Sequence, residues 1–134
     1  MTQEERQLLL KDICARLPYG VICDMWFEGN ESDKITEVLK CGGLMRLMNS
    51  EFNFIAKPYL RPMSSMTEEE RRYLLEELGF DEDLENGELN DFGSYVYHSV
   101  NVLPLFDWLN AHHFDYRGLI DKGLALEAPE GMYA

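Results

Sequence analysis

The chain has 134 residues, enough for one domain with a real core or for two very small ones, and its 46% apolar and 12% aromatic content argues against wholesale disorder. The start, MTQEERQLLLKDICARL, lacks the basic segment and unbroken apolar run of a secretion signal. No window approaches the roughly 18 apolar residues that span a bilayer, so the expectation is a cytoplasmic protein. The net charge of −13 is unevenly spread: residues 1–66 carry 9 acids and 8 bases (−1), residues 67–134 carry 16 acids and 4 bases (−12). Direct contact with nucleic acid or an anionic membrane surface calls for a basic footprint, so both are disfavoured.

Thr2 and Glu5 have the spacing of a capping box, and Leu10, Ile13, Cys14 and Leu17 then recur at the helical period. Pro18 disfavours helical geometry at Leu17, which predicts a first helix over about 3–16. Val21, Cys23, Met25 and Phe27 alternate with Asp24, Trp26 and Glu28, as in a half-buried strand. EGNESD reads as a turn and ITEVLKC as a second strand, although KITEVLK would also suit a helix. Gly42-Gly43 suits a tight hairpin turn into a third strand, LMRLMN, and FNFIA reads as a fourth, ending near Pro58. Short antiparallel strands without a crossover helix predict a small curled sheet or an SH3-like barrel. Cys14, Cys23 and Cys41 match neither a redox pair nor a zinc knuckle and read as reduced, buried thiols.

Beyond PYLRP, Thr67 and Glu70 repeat the capping-box spacing and open a helix with the stripe Leu74, Leu75 and Leu78. Gly79 and Phe80 have the order of a Schellman end, with Phe80 reaching back to Leu75. Residues 81–91, DEDLENGELND, hold six acids and no base. Asp81, Asp83 and Glu85 could fill the first three positions of an EF-hand loop, but the glycine falls at 87 and the twelfth position is Phe92, so that reading fails. A looser calcium site remains open beside the default, a solvated acidic loop. YVYHSVNVL reads as a strand or extended arm, and Pro104 as the first residue of a helix that runs to about His112 and buries Leu105, Leu109 and either Trp108 or Phe106.

In WLNAHHFDYRG, adjacent His112 and His113 would project about 100° apart on a helix, which ill suits shared metal ligation. A join between helices accounts for more of the residues. The histidines would face the negative end of one helix dipole, Asp115 would cap the next helix, YRGLIDK, and Gly123 would stop it. Phe114 and Tyr116 would pack the corner.

The blocks PYLRPMSSMTEEE and HHFDYRGLIDKGLALEAPEGMY resemble segments of small uncharacterised proteins of gut Bacteroides-type bacteria and their prophages or other mobile elements. That resemblance covers about a third of the chain and implies no activity, catalytic residue or cofactor.

The expected fold is α+β: an N-terminal helix, a small antiparallel sheet, then an acidic, mainly helical half, forming one domain over 1–134 with sub-regions 1–62 and 63–134. The expected function is non-enzymatic protein binding, with no catalytic residue, metal or cofactor called for. The partner would present a basic face to Asp81, Glu82, Asp83, Glu85, Glu88 and Asp91. Trp26, Tyr95 and Tyr97 are candidate contact aromatics whose simpler role is packing. Two alternatives stay open. One is an acidic mimic of nucleic acid that inhibits a DNA-binding protein, from eleven acids against two bases over 68–91. The other is an enzyme or metal protein built on His112, His113 and Asp115, or on Tyr97 and His98.

Overall fold

The computed structural model describes residues 1–77 and 102–133. Its elements are α1 (Gln3–Arg16), β1 (Ile22–Phe27), β2 (Ile35–Val38), α2 (Cys41–Met48), β3 (Phe54–Leu60), α3 (Glu68–Glu76), α4 (Val102–Ala111) and β4 (Leu126–Glu127), an α+β fold. The predicted cap at Gly79, the acidic stretch 81–91 and all but the last two residues of YVYHSVNVL fall in 78–101, outside the described residues.

Helix α1 begins on the predicted capping box: the Glu5 N–H donates to Thr2 Oγ1 at 3.1 Å and the Thr2 N–H to Glu5 Oε1 at 2.9 Å. It ends where Pro18 requires, in a short 3-10 turn over Leu17–Tyr19 closed by left-handed Gly20. The buried face is not the predicted one. Leu9, Asp12, Ile13 and Arg16 face inward, whereas Cys14 is exposed. An apolar count alone rejects Asp12 and Arg16, but one turn apart they neutralise each other and can be buried together. Of the three thiols expected to be buried, only Cys23 is; burial pushes it up to about 12, with Asp12 and Asp24 adding to the effect.

The sheet runs β2-β1-β3-β4, antiparallel except for the β3–β4 pair, which is parallel. It is open, and the expected third strand explains why no barrel forms: all of LMRLMN but its last residue, the C-cap Asn49, lies in α2. Gly42 and Gly43 belong to that helix and make no hairpin turn. Leu47 is buried, and Gly43 lets the backbone close on Leu39 and Met25, since a Cβ there would stand 2.7 Å from Leu39 Cδ1. Strand β3 extends past Pro58 to Leu60 and turns Ala56, Pro58 and Leu60 to the core.

Pro58, which pairs with Cys23, has no N–H to give the ladder. Beside that pair the Tyr133 hydroxyl bridges β1 and β3: it accepts from the Ile22 N–H at 2.9 Å and donates to the Tyr59 carbonyl at 2.7 Å. Sequence-distant residues therefore complete the sheet. The core follows the same pattern. One buried cluster joins Leu9 and Ile13 of α1 and Cys23, Met25, Ala56 and Leu60 of the sheet to Leu119 and Leu124. A second gathers Met63, Met66, Leu74, Leu105, Leu109 and Phe114.

Helix α3 starts on the predicted capping box, with the Glu70 N–H 3.2 Å from Thr67 Oγ1. Helix α4 starts two residues ahead of Pro104, which still lies in the first turn, where its missing N–H costs no hydrogen bond. Leu105 and Leu109 are buried as expected.

Candidate docking groove

The join at the end of α4 is a Schellman motif. The Phe114 N–H donates to the Leu109 carbonyl at 3.0 Å and the His113 N–H to the Asn110 carbonyl at 3.1 Å, with His113 left-handed at φ 60°. The expected partner helix does not follow. Residues 116–123 form successive turns, closed at left-handed Gly123. Asp115 still acts as a cap, accepting from the Leu119 and Ile120 N–H groups at 2.8 and 3.0 Å. The reason is tertiary: the Asp115 N–H and the His113 carbonyl pair with Arg61 at the end of β3, so the chain is held extended where a helix would start.

This arrangement sends His112, His113 and Asp115 to three different tasks. The His113 ring stacks on Tyr133 with centroids 3.8 Å apart, and its Nε2 lies 3.1 Å from the Tyr19 carbonyl. Burial, reinforced by the nearby Arg16 charge, holds His113 down to about 4. The ring is therefore neutral at pH 7 and donates through Nε2, leaving Nδ1 buried without a hydrogen-bond partner. The His112 ring packs tilted against Trp108, centroids 4.4 Å apart, with Nδ1 3.7 Å from Glu70 Oε2. Burial lowers its pKa from the ordinary 6.5 despite Glu70, so at neutral pH this contact is not an ion pair. Glu70 is instead matched by Arg61 through two bonds of 2.7 and 2.8 Å. Burial opposes its ionisation, but the Arg61 and Thr67 hydrogen bonds outweigh that and hold the carboxyl below its usual range. Among the described residues, no three His, Cys, Asp or Glu side chains converge to hold a metal. Asp81, Glu82, Asp83, Glu85, Glu88, Asp91, Tyr95, Tyr97 and His98 lie outside the described residues.

Sequence reading missed two buried carboxylates. Asp12 takes two bonds from Arg16 (2.8 and 3.0 Å) and one from Arg117 (2.7 Å), while Arg16 also reaches the Phe114 carbonyl. Asp24 crosses three strands, accepting from Thr36 on β2 and Tyr59 on β3, with Lys34 at 3.6 Å. The i,i+4 spacing of Asp12 and Arg16 was a usable signal; nothing local marks Asp24. In both clusters the carboxylate is matched by partners from other elements, although Arg16 Nη1 is buried without a hydrogen-bond partner.

The surface that is not internally matched lies at the β2 edge. A cavity of about 300 Å³ opens between the β1–β2 hairpin and α2. Met25, Phe27 and Phe54 line it together with Ile35 and Glu37 of β2 and Arg46 of α2. Phe27 and Phe54 meet edge to face at 5.2 Å, and the Arg46 guanidinium lies 6.0 Å from the Phe27 ring. Phe27, Ile35 and Val38, three exposed large apolar side chains, all line this cavity. Single exposed apolar residues are ordinary, but a cluster around a concavity marks a contact surface. The larger space of about 430 Å³ beside the C-terminal turn is a weaker candidate, because Arg61, its only basic lining residue, is committed to Glu70. Trp26, a candidate contact aromatic, is half-buried beside the groove, with its indole N–H unpartnered. Among the described residues no helix is long and apolar enough to cross a membrane. Compared with protein-family models, with curated proteins and with solved structures, the chain matches none.

Proposed function

We propose that this chain is a non-enzymatic protein-binding module that docks a net-basic partner protein at the groove between the β1–β2 hairpin and α2. The observation that carries the reading is the exposed apolar cluster, Phe27, Ile35 and Val38, at a concave, open edge of the sheet. An apolar floor beside Glu37 and Arg46 has the make-up of a contact patch, an apolar centre with a charged rim. The net charge of −13 selects the partner's sign, because the long-range field repels acidic proteins and attracts basic ones.

The test is comparative capture in the native host with the tagged wild type and an Ile35→Lys variant. Ile35 is half exposed, so the substitution leaves the core untouched. The expected outcome is a basic partner held by the wild type and lost by the variant, with both proteins melting at the same temperature. A partner held equally by both would remove the groove from the reading.

A further inference from the structure

Strand β2 is the outer strand of the sheet, paired on one side with β1, and all four of its residues are exposed. Just past its end the Leu39 N–H donates to the Val21 carbonyl at 2.9 Å. Ladder bonds in an antiparallel pair recur at every second residue, so Glu37 and Ile35 also turn their backbone groups toward β1. Thr36 and Val38 then turn their N–H and C=O groups away from it, toward the edge that no described strand pairs with.

Resting on the docking reading above, we infer that the partner docks as an added strand, an extended segment that hydrogen-bonds to Thr36 and Val38. On its groove face apolar and Lys/Arg side chains alternate, so each class recurs at every fourth residue of the segment. The alternation follows from the edge. Side chains on the groove side of the added strand continue the rows Met25–Ile35 and Cys23–Glu37. Opposite Ile35 an apolar residue extends the cover over Phe27 and Phe54, and opposite Glu37 a cation matches the carboxylate. Lys34 does not repel that cation from the groove, because it is drawn to Asp24 and lies 5.8 Å from the Trp26 ring.

A second copy of the chain does not fit the same edge. Antiparallel self-pairing centred on Glu37 sets carboxylate against carboxylate. Centred on Thr36, it sets Ile35 against Glu37, and in either case two bodies of charge −13 repel.

The probe is a nine-residue Lys–Val peptide, Lys-Thr-Val-Thr-Lys-Thr-Val-Thr-Lys, whose one face alternates Lys and Val. A Lys–Gly peptide of equal charge, with Gly for each Val, is the control, and both are titrated into the full chain and followed by residue-resolved amide hydrogen exchange. Saturation with the Lys–Val peptide is expected to slow exchange at the Thr36 and Val38 amides by tenfold or more, with no such effect from the control. Val38→Pro, which removes an outward N–H and spares the β1–β2 ladder, is expected to weaken binding at least tenfold with the melting temperature kept. Binding that leaves both amides and the Val38→Pro affinity unchanged overturns strand addition, as does no binding at millimolar peptide. If Ile35→Lys abolishes binding while Val38→Pro does not, the groove stands and strand addition falls. If neither variant changes it, both fall.

Discussion

Three single residues show how much of this fold hangs on buried polar groups. His113 is neutral because burial and the Arg16 charge hold it down to about 4, against an ordinary 6.5. Between those two values the unfolded chain carries a proton here that the folded chain lacks, so stability falls as pH drops through that window. The contribution is fully present above pH 6.5 and is lost by about pH 4. It amounts to about 3–4 kcal/mol, at about 1.4 kcal/mol per pH unit. Urea unfolding at pH 7 and pH 4.5 should show the loss, and His113→Asn, which accepts the left-handed backbone without titrating, should flatten that slope. Tyr133 makes the second case. Tyr133→Phe strands the Ile22 N–H and Tyr59 carbonyl between β1 and β3, and a destabilisation of about 1–3 kcal/mol is expected from chemical denaturation. Asp12 is the third, since among the described residues it alone pairs with the buried Arg16 charge, and it also binds Arg117. Neither Tyr133 nor His113 advertised its role in the sequence, because each partner lies about a hundred residues away along the chain.

Among the elements, legibility followed the range of the deciding interaction. The capping boxes of α1 and α3 are contacts three residues apart, and both formed as read. Strand β1 was legible from its alternation and β2 from a short apolar pattern. Helix α2 was not, because two adjacent glycines signal a turn when nothing else is known. The packing of Leu47 and the close approach at Gly43 make it a helix. The two glycines differ in their surroundings. Gly42 has open space around its missing Cβ, so Gly42→Ala should stabilise by up to about 1 kcal/mol through helix propensity. Gly43→Ala forces buried Leu39 to move, so its melting temperature should lie below that of Gly42→Ala. Equal shifts for the two variants would show that α2 does not press on Leu39. The segment after Asp115 failed in the opposite direction: its cap was legible, but pairing with Arg61 holds the chain out of a helix.

At the scale of the whole molecule, charge acts farthest. A field of −13 reaches about 8 Å into physiological saline, enough to steer a cation before contact. Changing Asp81, Glu82, Asp83 and Glu85 to Asn or Gln takes the net charge from −13 to −9. Association of a basic partner, measured by stopped flow, should slow and depend less on salt, with the melting temperature unchanged. A rate indifferent to both salt and substitution would leave the charge a solubility device. The sequence by itself determined this charge, the α+β class, the first helix and its cap, the hairpin strands and the start of α3. Each is additive or set by neighbours within a few residues, so no folded context is needed to read it. The tertiary structure alone decided the open mixed sheet, the helix in place of a third strand, and the Tyr133 bridge. It also decided the burial of Asp12 and Asp24 and the groove beside β2. Each of these depends on which distant segments meet, and a carboxylate becomes a core residue only once its partners have been brought to it.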